Sequence, residues 1–118
     1  MKAGDGLCVK SSKEEVEAFL EDVYAALNGG LCSSVDRKKN TDCLAMLGWK
    51  WADAFDELKS LTYHDYFRGP EVDRVCPTDD DFWEFKRTIE GKHIYIKLKI
   101  RYSQDRSLLL FSFHIDGM

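Results

Sequence analysis

The chain has 118 residues, 44% apolar and 32% charged, enough for one hydrophobic core and too apolar for a disordered polymer. Eight Gly and two Pro exclude collagen-like and low-complexity chains, and the longest strictly apolar run, Leu108-Leu109-Leu110-Phe111, is far too short for a membrane span. The net charge of −4 excludes a general polyanion binder, which carries a clearly positive balance.

Met1 to Ser12 holds Lys2, Gly4, Asp5, Gly6 and Lys10 and no apolar stretch, so no signal peptide and a cytosolic location are expected. Ser12 followed by Glu15 is a capping-box signature. Behind it Val16, Phe19, Leu20, Val23, Tyr24 and Leu27 recur at helical spacing, while Glu14, Glu15, Glu17, Glu21 and Asp22 fall on the outer face. Gly29-Gly30 stops the pattern, which predicts a helix over 12–28. The basic run Arg37-Lys38-Lys39 follows as a loop. Asn40 or Thr41 then caps a short helix through Leu44 and Leu47, ended by Gly48. A third helix is predicted from Trp49 to Ser60, with Trp51, Ala54, Phe55 and Leu58 on one face. The segment 61–81 contains Gly69-Pro70 and Cys76-Pro77 and reads as loop with at most short structure. Asp79-Asp80-Asp81 reads as a solvated stretch of it.

The pattern changes in the last third. From His93 to Tyr102 every even position is apolar or Tyr and the odd positions are polar, basic or Tyr, the signature of a half-buried strand. Trp83, Phe85 and Ile89 alternate the same way before it, and Leu109, Phe111, Phe113 and Ile115 after it. Three strands with short connections make an antiparallel meander, and with the helices laid on its apolar face the fold class is α+β: N-terminal helices packed on one face of a C-terminal antiparallel β-sheet, in a single domain. Glu90-Gly91 suits a two-residue hairpin turn, which pairs Ile89 with Lys92, Lys86 with Tyr95 and Glu84 with Lys97. Arg87 is left as an edge exception on the apolar face. Closing the second turn around Gln104-Asp105 pairs Tyr95 with His114 and Lys97 with Ser112. A slip of one residue would put every apolar side chain on the wrong face.

Charge is uneven along this frame. Residues 61–81 carry 2 basic and 6 acidic side chains, and residues 82–118 carry 7 basic and 4 acidic. Two rows, Lys86–Tyr95–His114 and Glu84–Lys97–Ser112, lie side by side on the solvent face, with Cβ atoms of paired residues roughly 4.5–5.5 Å apart. Lys99 and Arg101 extend the patch. Such a face is ordinarily just solubilising, but Tyr95 and His114 are unusual choices for that, and His exchanges protons near neutral pH. Metal-free phosphodiester cleavage fits the set: RNA brings its own 2′-OH nucleophile, His, Glu or Tyr moves protons, and Lys and Arg hold phosphate charge. No cofactor or metal is implied. The four cysteines (Cys8, Cys32, Cys43, Cys76) form no CxxC pair and fit no common zinc spacing, so they read as reduced thiols.

Asp65-Tyr66-Phe67-Arg68-Gly69-Pro70-Glu71-Val72-Asp73, with Phe82-Trp83-Glu84-Phe85, Ile94-Tyr95-Ile96-Lys97-Leu98 and Ser112-Phe113-His114, resembles the bacterial toxins of the motility quorum-sensing regulator (MqsR) type, within the wider RelE-like ribonuclease toxins. The resemblance spans about residues 61–115. It implies a RelE-like sheet packed by helices, an mRNA-cleaving toxin, and a partner antitoxin, commonly a helix-turn-helix DNA-binding protein. Tyr95 matches the family pattern. That pattern has Lys where Arg68 stands, Gln where Glu84 stands and Lys where His114 stands.

On this reading His114 is general acid or base, and Glu84 is the complementary base or orients Lys97. Tyr95 positions phosphate or base, Arg68 and Lys97 stabilise phosphate charge, and Lys86, Lys99 and Arg101 bind RNA. The plainer readings stand beside it: an exposed Glu84–Lys97 ion pair worth little, an Arg68 that only anchors its Gly-Pro turn, and a His114 that is merely a satisfied strand residue. A non-catalytic module that grips a protein or an anionic ligand would use the same face.

Overall fold

The computed structural model describes residues 10–117. Helix α1 spans Lys13–Asn28. Its start is fixed by the capping box: Glu15 N–H donates to Ser12 Oγ at 3.1 Å, and Ser12 N–H to the Glu15 carboxylate at 2.7 Å. The expected stripe Val16, Phe19, Leu20, Val23 and Leu27 is buried, and Phe19 stacks on Trp83 at 4.4 Å between ring centroids. Strand β1 follows at Cys32–Ser34, where the sequence predicted no strand. Helix α2 spans Lys38–Leu47 and ends at Gly48 in the left-handed conformation (φ 71°). It begins before Asn40, so Asn40 lies inside the helix and is not its cap. Helix α3 is shorter than expected, Trp51–Leu58.

Segment 61–81 departs most from its reading as loop. A 3₁₀ turn at Tyr63–Asp65 leads into strand β2, Tyr66–Glu71. This strand pairs antiparallel with β3, Phe82–Ile89, with Arg68 opposite Glu84 and two register shifts. Gly69 has φ 129°, and a Cβ there would sit 2.9 Å from the Cα of Trp83. The Gly-Pro pair that reads as a breaker is therefore the irregular part of an edge strand.

Strands β4 (Lys92–Arg101) and β5 (Ser107–Ile115) complete a five-stranded sheet, order β1-β5-β4-β3-β2, in which only β1–β5 is parallel. The chain is thus α+β, with the helices N-terminal and, apart from the short β1 between α1 and α2, the strands C-terminal. The β3–β4 register is the predicted one, from Ile89–Lys92 to Trp83–Leu98. Its turn has positive φ at both central residues, 50° at Glu90 and 79° at Gly91, the twist a tight hairpin prefers.

The β4–β5 register also holds from Ile94 to Lys97, giving Tyr95–His114 and Lys97–Ser112. Beyond that it shifts by one, so that Leu98 faces Leu110 and Arg101 faces Ser107. Phe111 is the extra residue. The shift reverses the expected phase of the first half of β5: Leu108 and Leu110 enter the core, and Leu109 lies opposite Lys99. Fully buried Asn40 holds this bulge. Its Nδ2 donates to the carbonyls of Phe111 and Val35, each at 2.9 Å, and its Oδ1 accepts Phe113 N–H at 3.0 Å. These are backbone groups that strand pairing leaves over.

The helices cover the face that carries Ile94, Ile96, Leu98, Phe85 and Phe113, all fully buried. Arg87 is on that face too, and is satisfied there by Glu57 at 2.8 Å and Asp65 at 3.2 Å. Among the described residues no helix is long and apolar enough to cross a membrane. Cys32, Cys43 and Cys76 are free thiols, and Cys8 lies outside the described residues.

Candidate active site on the open face of the sheet

Strand alternation presents Tyr95 and Lys97 on the face opposite the helix-covered side, and the two registers bring Lys86 and His114 beside Tyr95 and Ser112 beside Lys97. Strand β2 adds Arg68 next to Glu84. Arg68, Lys86, Tyr95, Lys97, Ser112 and His114, together with Arg37 just before α2 and Lys39 in its first turn, line a depression of about 480 Å³. Its cations are Arg37, Lys39, Arg68, Lys86 and Lys97, and its acid is Asp116, which Lys86 meets at 3.1 Å. Phe67 and Phe111 supply aromatic wall, with Lys86 Nζ 3.9 Å above the Phe67 ring.

Glu84 faces Lys97 across the ladder as predicted, but it is 1% exposed and its ion pair is with Arg68, not with Lys97. Its Oε1 accepts the Tyr95 hydroxyl at 2.7 Å and Arg68 Nε at 3.1 Å. Burial alone would raise its pKa, but side-chain hydrogen bonds with Glu71, Tyr95 and Arg68, and the charge of Arg68, outweigh burial and hold the carboxyl below its usual range. A carboxylate sealed in this way braces Arg68 and Tyr95. It is poorly placed to collect a proton from a substrate.

Tyr95 is correspondingly a firm phenol. Burial, then the hydrogen bond to Glu84 and the charge of Glu84, push its pKa far above the ordinary value. It neither acts as a base at neutral pH nor gives up its proton readily, but its oxygen can still accept a hydrogen bond.

His114 is 5% exposed, and its ring centroid is 5.3 Å from that of Tyr95. Its Nδ1 is 2.9 Å from the Ile115 carbonyl oxygen. A carbonyl only accepts, so in the neutral ring Nδ1 carries the hydrogen and Nε2 carries the lone pair. Burial lowers the pKa of His114. The Ile115 hydrogen bond opposes this, and the positive charges of Lys39 and Arg37 add to it. The ring is thus neutral at pH 7 and able to accept a proton.

Two residues expected in the patch lie elsewhere. Lys99 is 0% exposed, clamped by Asp73 at 2.8 Å and Asp79 at 3.3 Å, with its Nζ 4.1 Å from the centre of the Phe82 ring. It is not available to RNA. Arg101 is drawn to Asp79 at 3.6 Å and stands outside the depression. The aspartate run, read as solvated, supplies the two contacts from Asp79, and Asp80 also accepts Tyr102 N–H at 3.1 Å. The hydrogen bond from Lys99, then one from Cys76 N–H, lower the pKa of Asp73 to about 2.

Arg37 and Lys39 were read from the sequence only as part of a basic loop, and Phe67 only as part of the resemblance motif, none of them as a site residue. They reach the site only because α2 and β2 flank the sheet, a tertiary relation without a local motif. A second hollow of about 430 Å³ is lined by Cys43, Met46 and Ile115 with Arg37, Lys38, Lys39 and Asp42 beside them; its one acid, Asp42, is paired with Lys38 at 2.7 Å. Among the described residues no group of three or more His, Cys, Asp and Glu side chains is placed to hold a metal ion. No protein-family model and no curated protein matches the chain.

Proposed function

We propose that the protein is an endoribonuclease that cleaves mRNA without a metal, acting as the toxin of a bacterial toxin–antitoxin pair of the MqsR type, in the cytoplasm, with a helix-turn-helix antitoxin as its partner. The observation that carries the nuclease reading is one depression in which a neutral imidazole, a braced arginine and further cations meet. His114 Nε2 takes the proton from the ribose 2′-OH. The 2′ oxygen forms its bond to phosphorus as the bond from phosphorus to the 5′ oxygen breaks. Arg68, held in plane by Glu84, spreads the charge that builds on the phosphate oxygens. Lys97 gives its proton to the departing 5′ oxygen; afterwards His114 releases the proton it took to solvent and Lys97 regains one from it. The products are a 2′,3′-cyclic phosphate and a 5′-hydroxyl end.

The test is incubation of purified protein with RNA in a chelator, both free and on translating ribosomes, with mapping of the new ends. Cyclic-phosphate ends with the wild type and intact RNA with His114→Ala support the reading. Intact RNA in every wild-type reaction refutes it. The small exposure of His114 favours a second reading, an anion-binding module that grips the same ligand without cutting it. Tight RNA binding with no new ends is its signature.

A further inference from the structure

Arg37 immediately precedes α2, yet its Nη2 donates to Ser112 Oγ in β5 at 2.6 Å, and its guanidinium carbon lies 4.3 Å from the centre of the Phe111 ring. These two contacts fix the side chain. Arg68, Arg87, Arg101 and Arg106 each hold a carboxylate within 4.0 Å. Arg37 holds none among the described residues. Its Nε is buried and, like that of Arg101, meets no acceptor among the described residues. A guanidinium offers five donors in a rigid fork, and a buried donor without an acceptor is rare in folded proteins. A braced fork with donors to spare, in the wall of a depression that also holds Lys97 and His114, lacks only an anion that accepts two hydrogen bonds at once.

We propose that Arg37, braced by Ser112 and Phe111, is a second phosphate subsite, so that the depression takes two successive phosphates of a single-stranded polynucleotide. This rests on the reading of the depression as an RNA site. It adds that the ligand is a chain and not a mononucleotide, because one phosphate is met at Arg68 and its neighbour at Arg37.

The experiment follows the Nε–H resonance of Arg37 by NMR while a 2′-deoxy tetranucleotide, which the proposed chemistry cannot cleave, is added, with inorganic phosphate in a parallel titration. Anisotropy of a labelled 2′-deoxy oligonucleotide across a salt series is read for wild type, Arg37→Gln and Arg37→Lys, each checked for a native melt. The tetranucleotide should shift the resonance at concentrations where inorganic phosphate does not. Arg37→Gln should weaken binding about tenfold and flatten the slope of log K against log salt by about 0.7, the loss of one phosphate contact on a single strand. Arg37→Lys, which keeps charge and stem, should retain the slope and lose part of the affinity. An unmoved resonance, equal response to inorganic phosphate, no binding by wild type, or a wild-type slope in Arg37→Gln would each overturn the proposal. Cleavage is read separately: binding through Arg37 with RNA left intact removes the nuclease and keeps the subsite, while cleavage that Arg37→Gln leaves unchanged in KM removes the subsite and keeps the nuclease.

Discussion

The Tyr95 hydroxyl donates to Glu84 Oε1 at 2.7 Å, at a carboxylate only 1% exposed. Two of the three leading causes of the raised Tyr95 pKa belong to Glu84, its hydrogen bond and its charge. Glu84→Gln keeps the shape and removes the charge. The phenol should then titrate at lower pH, still above its ordinary value because burial persists. The variant should lose about 1–2 kcal/mol, since charge-assisted hydrogen bonds are lost but the Arg68 end of the network is partly screened by solvent. Phenolate absorbance measured against Tyr95→Phe reads the shift. An unchanged midpoint would show that Glu84 does not control Tyr95.

His114 carries its own pH signature. Its folded-state pKa lies below the usual 6.5, so below pH 6.5 the unfolded chain binds the proton more readily than the folded one. Stability therefore falls as pH drops from 6.5 through the folded-state value and is fully present above 6.5. The melting-temperature difference between wild type and His114→Gln should be flat from pH 7 upward and move against the wild type below it. Any cleavage activity should rise with pH on the same limb, reaching its plateau by neutrality.

Asn40 joins α2 to β5. Asn40→Ala leaves the Phe111 carbonyl and the Phe113 N–H without the partner they have now, and a buried backbone group left unpaired costs about 1–3 kcal/mol. Urea unfolding should show a loss of about 2–4 kcal/mol. Asn40→Asp should recover little of it, because a carboxylate cannot donate to Phe111 or Val35.

The Lys99 clamp answers to acid. The pKa of Asp73 is lowered to about 2 from 3.8, first by Lys99, so its contribution is complete above about pH 4 and disappears as pH falls toward 2. Lys99→Met, which removes the cation and keeps apolar bulk, should flatten that limb of the acid-unfolding curve. It should also speed hydrogen exchange of the Val75 and Cys76 amides, which bond to Asp73 at 3.0 Å. An acid limb as steep as that of the wild type would show that the clamp is not the source.

The β3–β4 hairpin was readable because its sequence alternates without a break and its turn residues tolerate positive φ. The lower half of β4–β5 followed from the same rule, which is how Tyr95 and His114 were placed together. The upper half was not readable: Leu108-Leu109-Leu110-Phe111 has no alternation, and a bulge held by a side chain from α2 sets its phase. Strand β2 was hidden because Gly69 and Pro70 mark turns far more often than edges. With β2 unseen, the natural partner of Glu84 was its neighbour Lys97 rather than Arg68. Lys99 was misplaced for a related reason, since alternation gives the face of a strand but not what another segment lays over that face.

The two margins of the sheet share one outcome. On one side β1 pairs with Leu108–Leu110, and Asn40 occupies the backbone groups just beyond. On the other, β2 is broken by two register shifts and carries Pro70, which has no N–H to offer. Among the described residues neither border presents a long, flat row of free amides and carbonyls to a neighbouring molecule, so cross-β stacking and domain exchange are discouraged. Even at high concentration, another chain would have to be recognised through side chains.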